Sequence, residues 1–154
     1  MRGREGKMIR KLFSSFLVLL LVCSWGANAY AAKGKYLVVL QAGKESHEGM
    51  ARAVHALLYS KELEEHGHEV VLLFDGAGTE WIAEWSKPDS TDKLAPMYKE
   101  LREAGVTNVI CDFCANAFQV KSSLEENKAP LTAEYKGHPS IAKFADKGYQ
   151  IIIL

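Results

Sequence analysis

Residues 36–41 read YLVVLQ, five apolar or aromatic side chains in succession before a glutamine. A strand with one wet face would alternate apolar and polar residues. An unbroken run of this length fits a strand covered on both faces, as in a parallel sheet. The signature recurs at residues 68–74 (HEVVLLF), 106–111 (VTNVIC) and 149–154 (YQIIIL). Between these runs the period changes to that of helices. Met50, Ala53, Val54, Leu57, Leu58 and Leu63 share helical spacing, with Ser46 as the expected N-cap and Gly67 as the end. Thr79 is expected to cap a short helix through Trp81, Ile82 and Trp85. Residues 93–104 form a third helical stretch with Leu94, Met97 and Leu101 on one face, closed by Gly105. Residues 116–126 read as one helix, residues 131–135 as a short extended piece, and residues 140–147 as a helix between Pro139 and Gly148. Strands alternating with helices predict an α/β fold: a three-layer α/β/α domain around a mostly parallel sheet of four or five strands. In such sheets ligands gather at the carboxyl ends of the strands. Three loops are expected there, residues 42–49, 75–78 and 111–116.

The first 29 residues have a different character. Arg2, Arg4, Lys7, Arg10 and Lys11 face only Glu5, residues 12–22 are apolar apart from two serines, and Ala27-Asn28-Ala29 is a small-residue A-x-A pattern. These are the three parts of a secretory signal peptide, with cleavage expected near Ala29 to Ala32. An uncleaved membrane anchor is the alternative, although the apolar stretch falls short of the roughly 20 residues a span requires. Val22 before Cys23 does not fit the small residue a lipoprotein signal would have there. The expectation is a periplasmic or secreted protein with a single domain over residues 33–154. Without residues 1–29 the chain carries 14 basic and 18 acidic residues, a net of −4. That balance argues against nucleic acid or an anionic membrane as the main partner.

Loss of Cys23 with that segment leaves Cys111 and Cys114, in VICDFCANAF (residues 109–118). A disulfide across so short a loop would constrain the unfolded chain very little, so the spacing points to chemistry. Cys111 would end the third strand and Cys114 would sit at or near the next helix start. Unpaired N–H groups and the helix dipole there favour a thiolate. Ala115, Asn116 and Ala117 leave room for a bound group. Asp112, between the two cysteines, would oppose a thiolate if it faced them. Two inert buried thiols are the plain alternative. No metal site is expected. Zinc needs four ligands, and His47, His66 and His68 have no ligand spacing relative to the cysteines. No cofactor motif is present either: QAGKESHEG (residues 41–49) is not a phosphate loop, and no G-x-G-x-x-G follows the first strand. Lys44 and His47 are candidates to place a positive charge or a proton over the site, against the simpler reading of a solvated loop. His55 reads as a core or interface histidine, and Trp81 and Trp85 as packing or subunit contact.

The long stretch VVLQAGKESHEGMARAVHALLYSKELEEHGHEVVLLFDGAGTEWI, followed by VICDFCANAF and EYKGHPSIAKFADKGYQIIIL, resembles the DsrE/DsrF-like sulfur-relay family over nearly all of residues 33–154. The resemblance implies an α/β/α domain that assembles into trimers or hexamers. In the sulfur-transferring members a cysteine just beyond the third strand carries persulfide, and the matching position here is Cys114. Cys111 would be an additional thiol. The best-known members work inside the cell on transfer RNA thiolation or sulfur oxidation. The export pattern here argues against the former.

Three functions follow as expectations. The first is an exported sulfur carrier: Cys114 takes sulfur from a polysulfide or a donor protein thiol, and Cys111 resolves the persulfide or an acceptor thiol takes it. The second is a thiol–disulfide oxidoreductase using the same pair, although neither Pro130 nor Pro139 directly precedes a strand, as a proline loop facing such a site would. The third is a non-catalytic oligomeric binding protein.

Overall fold

The computed structural model describes residues 33–154. The expected signal peptide, with Cys23 and the candidate cleavage positions Ala29 to Ala32, lies outside the described residues. Five strands, β1 (Lys35–Leu40), β2 (Glu69–Phe74), β3 (Thr107–Cys111), β4 (Leu131–Thr132) and β5 (Gln150–Ile153), form one sheet in the order β4-β3-β2-β1-β5. Every pairing is parallel. The helices are α1 (His47–Glu65), α2 (Thr79–Trp85), α3 (Ala95–Glu103), α4 (Asp112–Ala117), α5 (Lys121–Glu126) and α6 (Ile141–Asp146). No helix among the described residues is long and apolar enough to cross a membrane.

The path of the chain explains where the layers lie. From β1 to β4 each strand is added on the same side of the last, and a right-handed crossover then puts every intervening helix on one face. The larger core is there: Val38, Leu40, Leu72, Phe74 and Ile110 pack with Ala53 and Leu57 of α1, Trp81 and Trp85 of α2, Leu101 of α3 and Leu124 of α5. From β4 the chain reverses to reach β5 beyond β1, so α6 falls on the opposite face. There Phe144 closes a smaller core over Leu37, Val39, Val71 and Leu73. Each fully buried side chain of this size contributes about 1.5–3 kcal/mol relative to exposure.

Several local expectations are met. Ser46 Oγ accepts the Gly49 N–H at 2.9 Å, capping α1. Trp81 and Trp85 are buried, and their indole N–H groups donate to the Ala42 carbonyl (2.9 Å) and Asp92 Oδ1 (3.1 Å). Others need correction. Pro130, expected to precede no strand, directly precedes β4. Thr79 does not cap α2; it is the first helical residue, and its hydroxyl donates to the Gly76 carbonyl at 2.8 Å. His55 is not in the core. It is exposed and stacks on Tyr59, with Met50 and Leu58 also facing outward. The inward face of α1 is instead Gly49, Ala53, Ala56, Leu57 and Ser60, mostly small residues that let the helix lie close to the sheet.

The single helix expected over residues 116–126 is two helices. α4 starts earlier, at Asp112, and stops at a Schellman turn: the Gln119 N–H donates to the Asn116 carbonyl and the Val120 N–H to the Ala115 carbonyl. Gln119 has φ 59°, the left-handed position usually taken by glycine. The same turn ends α5 at Lys128, φ 55°. With no glycine at either place, the sequence carries no stop signal there.

Candidate functional site

β3 and β4 are neighbours whose outgoing connections lead to opposite faces of the sheet. A crevice opens between such diverging loops at the carboxyl edge, and the two cysteines lie beside it. Cys111 both ends β3 and caps α4. Its Sγ accepts the Cys114 N–H at 3.4 Å. The unpaired N–H field of this short helix therefore falls on Cys111, whereas the sequence suggested Cys114. Cys114 is the third residue of α4, and its thiol donates to Asp75 Oδ1 at 3.1 Å. Asp75 directly follows β2, in the loop expected at this edge.

The fourth member is His138, on the loop from β4 to α6. Its Nδ1 is 3.2 Å from Cys111 Sγ and 4.0 Å from Cys114 Sγ. Two contacts to α4 hold this loop: the Phe113 N–H donates to the Gly137 carbonyl at 3.0 Å, and the Phe113 ring packs on the imidazole with centroids 4.6 Å apart. Asp75 and His138 also line a cavity of about 490 Å³ with Leu73, Tyr135, Pro139 and Ile141. Cys111 is fully buried and Cys114 is 8% exposed. The thiols thus lie behind two polar groups that open onto a space large enough for a small molecule or a partner's side chain.

The electrostatics differ between the two sulfurs. Burial pushes the Cys111 thiol up, and the neighbouring Cys114 side chain and N–H partly oppose that shift. Cys114 is pushed strongly up, first by burial, then by its bonds to Cys111 and Asp75. Burial alone would also raise the Asp75 carboxyl. Hydrogen bonds from Gln41, Cys114, the Gly76 N–H and Cys111 together bring it below its ordinary value. The resting pair is therefore a dithiol beside a carboxylate, and of the two sulfurs Cys111 is the better seat for a negative charge. Asp112 does not oppose a thiolate, because it turns away to pair with Lys121 at 2.7 Å.

Other residues singled out from the sequence lie apart from this cluster. Lys44 is exposed, with its ammonium 5.1 Å from the centre of the Trp81 ring. His47 opens α1 and is exposed. Asn116 is exposed on α4. None of the three lines the cavity. The loop carrying Lys44 folds back on itself so tightly that a Cβ on Gly49 would stand 2.0 Å from the Gly43 carbonyl oxygen. Sequence reasoning missed His138 altogether and gave Asp75 no role. A charged residue directly after a strand run was the available signal for Asp75. For His138 it was a histidine in the loop that follows the short extended piece.

The DsrE/DsrF-like family matches residues 34–154 of this fold. The chain belongs to that family. An uncharacterised protein of Methanocaldococcus jannaschii, MJ0733, is 30% identical over 110 residues, covering 71% of this chain and 86% of its own length. A solved structure of a conserved protein of unknown function from Bacteroides thetaiotaomicron, BT1422, superposes with a TM-score of 0.56. It is 18% identical, and the match covers 82% of this chain and all of the other. That likeness is one of fold. For this DsrE-like chain, the cluster of Asp75, Cys111, Cys114 and His138 is the candidate site.

Proposed function

We propose that this DsrE-like protein is an exported sulfur carrier that holds sulfane sulfur as a persulfide on Cys114. The observation that carries the reading is the convergence of two thiols on an imidazole that lines a cavity at the carboxyl edge of the sheet. Cys114 gives its proton to His138, and its thiolate attacks the outer sulfur of a donor persulfide or polysulfide. A Cys114 S–S bond forms, the donor's S–S bond breaks, and the donor leaves as a thiolate that recovers the proton. An acceptor protein thiol then takes the outer sulfur, its proton passing to the departing Cys114 sulfur to restore the thiol, with no net redox change. Where Cys111 attacks instead, a Cys111–Cys114 disulfide forms and the outer sulfur leaves as sulfide. Cys114 is assigned as the receiving sulfur on access, since Cys111 is fully buried.

Intact mass after incubation with polysulfide tests this. The wild type gains one sulfur, Cys114→Ser gains none, and Cys111→Ser keeps its sulfur longer. Sulfur retained by Cys114→Ser but lost by Cys111→Ser would exchange the two roles. No addition to the wild type would sink the reading.

A second reading, thiol–disulfide exchange, is favoured by one observation. Pro139, next to His138, lines the cavity beside the dithiol. Insulin reduction at a rate dependent on both cysteines would support it over sulfur carriage. We also propose a homo-oligomer, a trimer or hexamer. Met50, Leu58 and Tyr59 on α1 and Ile151 and Ile153 on the edge strand β5 are all exposed, and light scattering on the purified protein reads the assembly directly.

A further inference from the structure

The dithiol and the two groups beside it also form a ligand set that no motif in the sequence announces. One carboxylate oxygen of Asp75, the two cysteine sulfurs and one imidazole nitrogen of His138 all lie within 4.8 Å of one another. We propose that Asp75, Cys111, Cys114 and His138 bind a thiophilic divalent cation of the zinc class, one per chain, in a closed four-ligand site.

The dimensions fit. Zinc bond lengths to sulfur, nitrogen and oxygen imply a tetrahedron with edges of about 3.3–3.8 Å between ligand atoms. The edges here include 3.1 Å from Cys114 Sγ to Asp75 Oδ1, 3.2 Å from Cys111 Sγ to His138 Nδ1 and 4.0 Å from Cys114 Sγ to His138 Nδ1. Side-chain shifts of a fraction of an ångström to about one ångström close the remainder around an ion. Outer contacts orient three of the four ligands. Gln41 Nε2 donates to Asp75 Oδ2 at 2.8 Å, which orients the carboxylate and leaves Oδ1 turned towards the sulfurs. The Cys114 N–H donates to Cys111 Sγ, and the Phe113 ring packs on the imidazole.

The donor set also selects the class of ion. Two sulfurs, one imidazole and a single carboxylate suit zinc and its soft neighbours, whereas calcium and magnesium require many oxygens. Binding replaces two thiol protons, including the one now shared between Cys114 and Asp75, so two protons are released for each cation taken up. With four protein ligands the ion has no vacant position for hydrolytic chemistry. Its effect would be to hold both sulfurs out of reaction.

The test is titration of the reduced, metal-free protein with cobalt(II), followed by displacement with zinc(II). Saturation at one cobalt per chain is expected, with tetrahedral visible bands and a thiolate-to-metal charge-transfer band. Release of two protons per ion and full displacement by zinc are also expected, and magnesium should produce no change. Asp75→Asn and His138→Ala should each weaken binding at least about tenfold, with the far-ultraviolet circular dichroism unchanged. A Cys111→Ser/Cys114→Ser double variant should lose the charge-transfer band. An octahedral cobalt spectrum without that band, or unchanged affinity in both Asp75→Asn and His138→Ala, would overturn the proposal. Sulfur uptake is read by mass in the absence of metal, so a protein that takes up sulfur but no cobalt refutes only the metal site.

Discussion

The Cys114 thiol, in the first turn of α4, donates a hydrogen bond to the carboxylate of Asp75 at the end of β2, 3.1 Å away. The contact joins residues 39 positions apart in sequence. It sets the resting state of the site, because a sulfur that donates to a carboxylate keeps its proton.

Alkylation kinetics measure that effect. Burial comes first in raising the Cys114 thiol, and Asp75 adds to it as acceptor and negative charge. Iodoacetamide should therefore modify Cys114 slowly at about pH 8, where an ordinary thiol is already partly ionised. Asp75→Asn removes the charge, lowers the thiol towards its usual range and should speed alkylation several-fold. An unchanged rate would show that burial and the contact with Cys111 account for the shift.

Acid stability reports on the carboxylate. The folded Asp75 carboxyl is held below its unfolded value, so its contribution is present above about pH 4 and is lost as the pH falls through the lower folded value. Gln41 supplies the largest of the hydrogen bonds that hold it down. Gln41→Ala should cost about 1 kcal/mol at neutral pH and start the acid loss at a higher pH. Urea midpoints measured across the acid range would check both effects.

Removal of the imidazole should leave the fold intact, because His138 lies on a loop outside the two hydrophobic cores. If His138 takes the proton from Cys114, His138→Ala should slow sulfur uptake by about a hundredfold or more. The slowing should shrink as pH rises and hydroxide does the same work. A uniform slowing at every pH would mean that His138 only positions the loop.

Two helix ends should respond in opposite directions. Gly105 has φ +95°, and a Cβ there would meet nothing within 4 Å. Gly105→Ala should therefore cost about 1–2 kcal/mol through backbone conformation alone. Gln119 occupies the equivalent place after α4 with φ 59°, and Gln119→Gly should recover up to about 1 kcal/mol. Thermal melts of the two variants decide this without any assay of function.

These helix ends also mark where the sequence was readable. Gly67, Gly105 and Gly148 each end a helix where expected, because glycine enters the left-handed region at little cost. Gln119 and Lys128 adopt the same geometry without the residue that announces it. They do so because Val120, Leu124 and Ala129 pack against the larger core, and that burial outweighs the local strain.

Unbroken apolar runs were enough to define the parallel strands and the α/β class, since burial on both faces is a property each segment carries in its own composition. The C-x-x-C pair was equally visible, because its members are three residues apart. Asp75 and His138 were not readable as its partners, and neither was the exchange of electrostatic roles between Cys111 and Cys114. Strand order, not local pattern, decides which carboxyl ends become neighbours: β2 lies beside β3, and β3 beside β4. Only when those three ends are side by side does a carboxylate from one loop and an imidazole from another reach the same two sulfurs.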